Sequence, residues 1–336
     1  MAKWRQHAAL VIAFSAAILY GSTYQQFRFF SLDAPGGAAD AVEYVKIARG
    51  DPGVDLTGPH FHRWITPAAV RVILPLADRL AGDPEQAVKL AFFLVNFTFS
   101  IAASLLLCAF LQQIGFSILL SLIGMCAFAS SRITVLATAT PIVDAAFYCA
   151  VAAVLYLTAA RKALGLALLL PVLALSKETI LPFMLLPALT GLRRSRAYWA
   201  ALVIAVITMR VSDLTVDAIY MTQGPSLADS IAEHLQQIGF SLQDLTTLGG
   251  LHDFQSGFSL LLPLAGIGVW LNARHRYHQI PGVVLATVPI ALALAVLSGN
   301  VGRMFFAAFP AVIAYALITV EHVAGRSGAA PEAPTI

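Results

Sequence analysis

Charged side chains are scarce in this chain of 336 residues. They make up 12% of the sequence, against about 25% in soluble proteins. Hydrophobic residues make up 59%, and the mean hydropathy is +0.79. Apolar blocks recur from Ala8 to Val320. This composition excludes a soluble enzyme carried on a single anchor, and we expect most of the chain to cross a bilayer.

Several other features are missing. Cys108, Cys126 and Cys149 lie inside apolar blocks without C-x-x-C spacing, which excludes a disulfide framework and a zinc site. The net charge of +3 comes from scattered basic residues, so nucleic acid is not an expected partner. No P-loop, G-x-S-x-G or H-E-x-x-H motif occurs, and ATP-driven transport and the familiar hydrolase mechanisms therefore have no support.

The apolar blocks predict an all-α polytopic membrane protein that forms one integral membrane domain over residues 1–336. Reading windows of roughly 20 apolar residues gives about ten transmembrane helices, joined by short connections and by longer segments with amphipathic helices. The ten blocks are residues 8–28, 88–111, 115–130, 143–160, 163–176, 179–192, 197–211, 256–273, 280–298 and 304–320.

The basic residues of the short loops predict the orientation, because Lys and Arg concentrate on the cytoplasmic side. Threading ten spans with the N-terminus inside places these basic residues on one side: Lys3, Arg5, Arg161, Lys162, Arg193, Arg194, Arg196, Arg274, Arg276 and Arg326. Both termini are then cytoplasmic, including the tail 322–336. The segments 31–87 and 212–255 form long outer loops. Since long loops on a rigid scaffold commonly carry function, we expect the working site on the outer face.

The first outer loop places acidic residues directly above the first span. Asp33 lies on a Pro/Gly turn, and Asp40 and Tyr44 share one side of a predicted short helix at i and i+4 spacing. The two carboxylates can bind a divalent cation, or one can accept a proton from an attacking hydroxyl. The alternative is that both are turn and helix-start residues favoured by capping and the helix dipole.

A second cluster in the same loop combines histidine and arginine. Arg63 is flanked by His60, His62 and Trp64, and an arginine fork matches phosphate oxygens. This pattern indicates a phosphate or lipid head-group site, although an ordinary interfacial anchor has the same composition. His60 and His62 are also candidate metal ligands.

Four further charged residues fall at outer ends of predicted spans. Lys177 and Glu178 lie between two apolar arms of only about 14 residues, so we expect them below the outer surface, facing a wet cavity. Asp144 precedes the fourth span and Arg303 the tenth. An acid suits a helix N-terminus, whereas Arg303 gains nothing from that dipole and indicates an anionic ligand or a lipid-phosphate anchor.

The pattern resembles the bacterial polytopic glycosyltransferases with the GT-C fold. The matching elements are Asp33 and Asp40 in a large loop after the first span, the stretch 62–67, Asp144 after a proline, Lys177 with Glu178, and a late Gly302-Arg303. The resemblance implies a multi-pass protein of the bacterial inner membrane that transfers a sugar, with inversion, from a polyprenyl-phosphate-linked donor to an outer-face acceptor.

The residues fit such a reaction, since a lipid-delivered donor needs no nucleotide pocket and leaves a phosphate that cations must stabilise. The hypothesis gives Asp40 or Asp33 the general-base role and gives Arg63, Lys177 and Arg303 the phosphate, with Glu178 and Asp144 as orienting groups. No cofactor is required, although a divalent cation (Mg or Mn) on Asp33 and Asp40 is compatible. The alternatives are a transporter or flippase for a lipid-linked sugar or small anion, and a non-catalytic membrane subunit.

Overall fold

The computed structural model describes residues 2–32, 39–50, 63–220, 227–275, 278, 280–298 and 300–325. Over these residues the regular structure is helical throughout, as the sequence predicts, and no β-strand occurs among them. The α-helices, numbered α1 to α17 in chain order, are Ala2–Phe29, Ala39–Arg49, Ile65–Ala81, Pro84–Gln113, Ile118–Ala129, Arg132–Ala139, Asp144–Ala159, Ala163–Leu173, Leu181–Met184, Arg196–Tyr220, Leu227–Leu245, Leu248–Ser256, Leu261–His275, Gly282–Leu285, Thr287–Leu297, Val301–Phe305 and Phe309–Val323.

Among the described residues, three helical segments are long and apolar enough to cross a membrane: Pro84–Gln113, Arg196–Thr215 and Val301–Val323. Two bent pairs bring the number to five if each pair is one span. α5 and α6 meet at 58°, and α12 and α13 meet at 74°. Four further apolar helical segments are shorter, at 144–159, 163–173, 178–189 and 282–297. The membrane character of the chain is thus supported, while ten crossings remain a prediction.

The longest helix in the core begins at a strong start signal. The Asp83 side chain accepts a hydrogen bond from the backbone amide of Gln86. Pro84, the residue after Asp83, is at the first helical position. A capping acid and a proline at this position both favour helix initiation. α4 then runs for 30 residues, about 45 Å at 1.5 Å per residue. It packs against α3 and α7, which places both helices beside it.

The structure differs from the predicted span at 179–192. The chain leaves α8 at Leu173, turns through Lys177, and continues as short pieces that alternate 3₁₀ and α geometry up to Arg194. Pro182 and Pro187 explain the interruption, because each lacks the amide that a continuous helix needs. The turn before these pieces brings Lys177 to Asp144 of α7 and Glu178 to Arg63.

Two helices, α2 and α3, precede α4. Arg71 of α3 donates hydrogen bonds to the carbonyls of Ile47 and Ala48, at 2.7 and 3.3 Å, and so holds the C-terminal end of α2. On the opposite side of α3, Val72, Leu76 and Leu80 are exposed at i, i+4 and i+8. That apolar stripe is the amphipathic pattern expected of an interfacial helix.

Two glycines on α13 give a direct test of its packing against α17. A Cβ added at Gly268 would lie 1.8 Å from the Tyr315 carbonyl oxygen, whereas a Cβ at Gly266 meets no described atom within 4 Å. We expect Gly268→Ala to destabilise the protein by about 1–3 kcal/mol, the usual effect of overpacking, and to lower the apparent Tm in detergent.

Gly266→Ala, two residues away on the same helix, is the matched control and should leave the Tm unchanged or slightly raised, because alanine has the higher helix propensity. Equal melting temperatures for the two variants would show that α13 and α17 do not pack at this distance.

Candidate functional site

A buried carboxylate bridges two cations at one end of the helix bundle. Asp144 Oδ1 accepts a hydrogen bond from Lys177 Nζ at 2.8 Å, and Oδ2 accepts one from Arg303 Nε at 2.7 Å. Arg303 Nη2 also lies 2.7 Å from Oδ2. The side chains of Asp144 and Lys177 are 1% and 2% exposed. Because a buried charge is tolerated only when paired, this arrangement fixes all three groups.

The segment before Asp144 is held from the neighbouring helix. Asn96, fully buried in α4, donates from Nδ2 to the carbonyls of Thr140 at 3.0 Å and Ile142 at 2.9 Å. These bonds fix the turn that leads into α7, whose first residue is Asp144. The helix dipole adds a favourable interaction with an acid at this position.

Arg303 and Lys177 are positioned by separate elements. The Tyr148 hydroxyl of α7 donates to the Arg303 carbonyl at 2.9 Å, and the Asn300 side chain caps the amide of Arg303 at 3.4 Å. Lys177 Nζ lies 5.7 Å from the centroid of the Phe147 ring, a favourable cation–π distance. Lys177 therefore lies in a sealed environment, and not in the wet cavity expected from sequence, because the break after α8 turns it toward α7.

The terminal nitrogens of Arg303 also face α2. Arg303 Nη1 and Nη2 both lie 3.4 Å from the same oxygen of Asp40, Oδ2. The Asp40 side chain is 30% exposed and that of Arg303 is 14% exposed. Arg303 thus connects the sealed Asp144–Lys177 pair to the accessible edge of the site.

Arg63 forms a second ion pair in the same region. Its Nε and Nη2 donate to the two carboxylate oxygens of Glu178 at 3.0 and 2.6 Å, and its Nη1 donates to the Tyr44 hydroxyl at 2.6 Å. The Arg63 side chain is 8% exposed, and Glu178 is 36% exposed. A two-point arginine–carboxylate pair of this kind is both strong and directional. Glu178 follows Lys177 directly, so the two ion-pair groups share one turn.

Burial shifts the pKa values of two groups on α2, Glu43 and Tyr44. The pKa of Glu43 is raised, first by burial and then by the neighbouring Asp40. Burial also raises the pKa of Tyr44 well above its usual range, although Arg63 opposes that shift. Tyr44 therefore stays a neutral hydroxyl. It accepts from Arg63 as a dipole and leaves the charge of that guanidinium to be balanced by Glu178.

Seven residues singled out from the sequence meet in this one region: Asp40, Tyr44, Arg63, Asp144, Lys177, Glu178 and Arg303. They come from α2, the segment before α3, the start of α7, the turn after α8, and α16. Asp33, His60 and His62 lie outside the described residues. No group of three or more potential metal ligands of the His, Cys, Asp or Glu type occurs in the described ranges.

Two supporting residues were missed by the sequence analysis. Asn96 lies in the middle of an apolar span, and a lone amide at such a depth is itself a signal, since it must find hydrogen-bond partners. Tyr148 lies one turn after Asp144 on α7, where that spacing places its side chain near the same helix end.

Comparison with known proteins gave no match, whether with protein-family models, with curated protein sequences or with solved structures. The resemblance to GT-C enzymes therefore rests on the residues of this chain alone.

Asp144 balances two buried cations, so replacing Asp144 should destabilise the protein more than replacing Lys177. Asp144→Asn leaves two buried cations without their shared carboxylate, an arrangement that costs about 3–5 kcal/mol. Lys177→Met leaves Asp144 paired with Arg303 and should cost clearly less. The double variant should be more stable than Asp144→Asn alone, as measured by apparent Tm in detergent.

Asp253→Asn provides the matched control. That acid is exposed and lies 3.9 Å from an exposed arginine, so its loss should have almost no effect. A double variant no more stable than Asp144→Asn would contradict the charge balance inferred here.

Proposed function

We propose that this protein is a membrane glycosyltransferase that moves a sugar from a polyprenyl-phosphate-linked donor to an acceptor at the extracytoplasmic face. The observation that carries the proposal is the convergence of Arg63, Lys177 and Arg303 with three carboxylates at one end of an apolar helix bundle. Such a concentration of ionisable groups in a membrane protein indicates function by default, because each buried charge is costly.

The cations suit the phosphate side of the reaction. When the sugar leaves, the bond between its anomeric carbon and the phosphate oxygen breaks, and the polyprenyl phosphate keeps the electron pair. Arg303 is the cation closest to the accessible edge, and Lys177 adds positive charge from behind Asp144. Fixed cations in a site of low water content stabilise such developing negative charge strongly.

The acceptor side of the reaction is assigned to Asp40. Its carboxylate takes the proton of the acceptor hydroxyl while that oxygen forms the new bond to the anomeric carbon, on the face opposite the leaving phosphate. A positioned general base contributes typically 10² to 10⁴ in rate. Glu178 and Asp144 hold Arg63 and Arg303 in place, and Tyr44 orients Arg63 from α2.

The finer architecture belongs to the same proposal. We assign the chain about ten crossings in a GT-C-like arrangement in the bacterial inner membrane, with both termini in the cytoplasm. The four shorter apolar helical segments support the larger number, because re-entrant or paired short helices are tolerated where they line protein instead of lipid. The outer loops 31–87 and 212–255 then lie on the same side as the ion-pair cluster.

A divalent cation is compatible with this site but is not needed for the step assigned to Asp40. Asp33 and Asp40 are the candidate ligands, as oxygen donors of the kind that Mg²⁺ and Mn²⁺ prefer. In that case metal chelation would abolish transfer, whereas a base role for Asp40 leaves transfer resistant to chelation.

The test is transfer from a radiolabelled polyprenyl-phosphate sugar pool to a cell-envelope extract, with the protein in lipid nanodiscs. We expect Asp40→Asn to lower the transfer rate by about 10² to 10⁴ and Arg63→Ala to abolish it, because Glu178 then loses its partner. Asp78→Asn on α3, an exposed acid away from the cluster, is the control and should retain full activity.

Two outcomes would replace the proposal. Saturable binding of the lipid without transfer, together with movement of the lipid between leaflets, would identify a flippase or carrier. No binding of any polyprenyl phosphate would favour a non-catalytic subunit that docks a partner through its outer loops.

A further inference from the structure

Arg303 has two carboxylate partners that it holds very differently. Asp144 lies at 2.7 Å from both Nε and Nη2 and is sealed from solvent. Asp40 lies at 3.4 Å, the long end of the hydrogen-bond range, and is 30% exposed. Of the two contacts, the one with Asp40 is the weaker and the one within reach from outside.

The buried Asp144, Lys177 and Arg303 together carry an excess of one positive charge, and Asp40 supplies the negative charge that balances it. Lys177 and Arg303 carry two positive charges, and Asp144 carries one negative charge between them. The buried trio therefore presents one net positive charge at Arg303, toward the accessible edge. A carboxylate from α2 currently balances it.

The geometry of the Arg303 fork fits an anion with more than one oxygen better than it fits Asp40. Nη1 and Nη2 share the single oxygen Oδ2 of Asp40 at equal, long distances. A phosphate presents three or more oxygens and offers the outer donors separate acceptors at about 2.8 Å, the spacing usual for charge-assisted hydrogen bonds.

Arg63 is a poorer site for an incoming anion than Arg303. Glu178 occupies it through two oxygens at 2.6 and 3.0 Å, and Tyr44 occupies its remaining terminal nitrogen at 2.6 Å. An incoming anion would have to break three short hydrogen bonds there, against two long ones at Arg303.

We infer that Asp40 occupies the anion position on Arg303, and that the phosphate group of the ligand displaces it. The inference rests on the proposed function for the identity of the ligand, a phosphate ester carried on an isoprenoid chain. It adds to the proposed function a coupling between phosphate binding and release of the Asp40 carboxylate. The carboxylate assigned as base is held by Arg303 until phosphate arrives, and phosphate binding then releases it toward the acceptor.

The test measures equilibrium binding of farnesyl phosphate to the protein in nanodiscs of zwitterionic lipid. Removing the competing carboxylate should strengthen binding, so Asp40→Asn is expected to lower the Kd about tenfold, the scale of one charge-assisted hydrogen bond. Arg303→Gln is expected to abolish binding. A gain in affinity cannot arise from misfolding, so the Asp40 variant decides the matter even if the Arg303 variant fails to fold.

Three controls separate the contributions of overall charge, the isoprenoid chain and the phosphate to the affinity gain expected of Asp40→Asn. Asp78→Asn removes the same charge elsewhere and should leave the Kd unchanged; an equal gain in this variant would reduce the effect to overall charge and overturn the inference. Farnesol tests the isoprenoid chain without its phosphate and should not distinguish wild type from Asp40→Asn. Inorganic phosphate tests the anion alone and should show the same gain at lower affinity if the site recognises phosphate itself.

The inference and the proposed function fail separately. Unchanged or weaker farnesyl phosphate binding in Asp40→Asn overturns the displacement by phosphate, even if wild-type protein transfers sugar. Tighter binding in Asp40→Asn with no transfer by the wild type supports the displacement and overturns the transferase.

Discussion

The carboxylate of Asp144, buried between Lys177 and Arg303, is the interaction on which the rest of the site depends. Three charges at this depth are tolerable only together, because each one alone would lack both water and a partner. Their mutual pairing fixes the start of α7, the turn after α8 and the start of α16 relative to one another. Every outer group of the site is then placed with respect to Arg303 or to the Lys177–Glu178 turn.

Much of the site could be predicted from sequence because polar residues stand out in an apolar chain. The basic residues of the short loops predict a single orientation for the spans. The span ends predicted on the same side of the membrane are then expected to share a surface. Arg303 was informative since a cation at a helix start contradicts the dipole. The pairing itself was not predictable, because it depends on how far the chain turns between the end of α8 and Lys177.

The fold was predictable to a coarser level. Apolar composition predicts helices and membrane character, but it cannot distinguish one long crossing from two bent halves, such as α5 with α6 or α12 with α13. The length of an apolar block does not state where a helix breaks. Asn96 illustrates the same limit, since its amide serves two carbonyls of a turn about 45 residues further along the chain, a contact that only the packing of α4 beside α7 creates.

The attachment of α2 also determines how much of the protein must move when Asp40 leaves Arg303. The C-terminal end of α2 is tied to Arg71, and Tyr44 in its middle is tied to Arg63. Asp40 lies in the first turn, whose amides have no partners within the helix, and its carboxylate contacts Arg303 there. Release of Asp40 from Arg303 leaves the attachments at Tyr44 and Arg71 in place. Phosphate binding at Arg303 thus acts on one end of α2 and leaves its two other attachments to the protein unbroken.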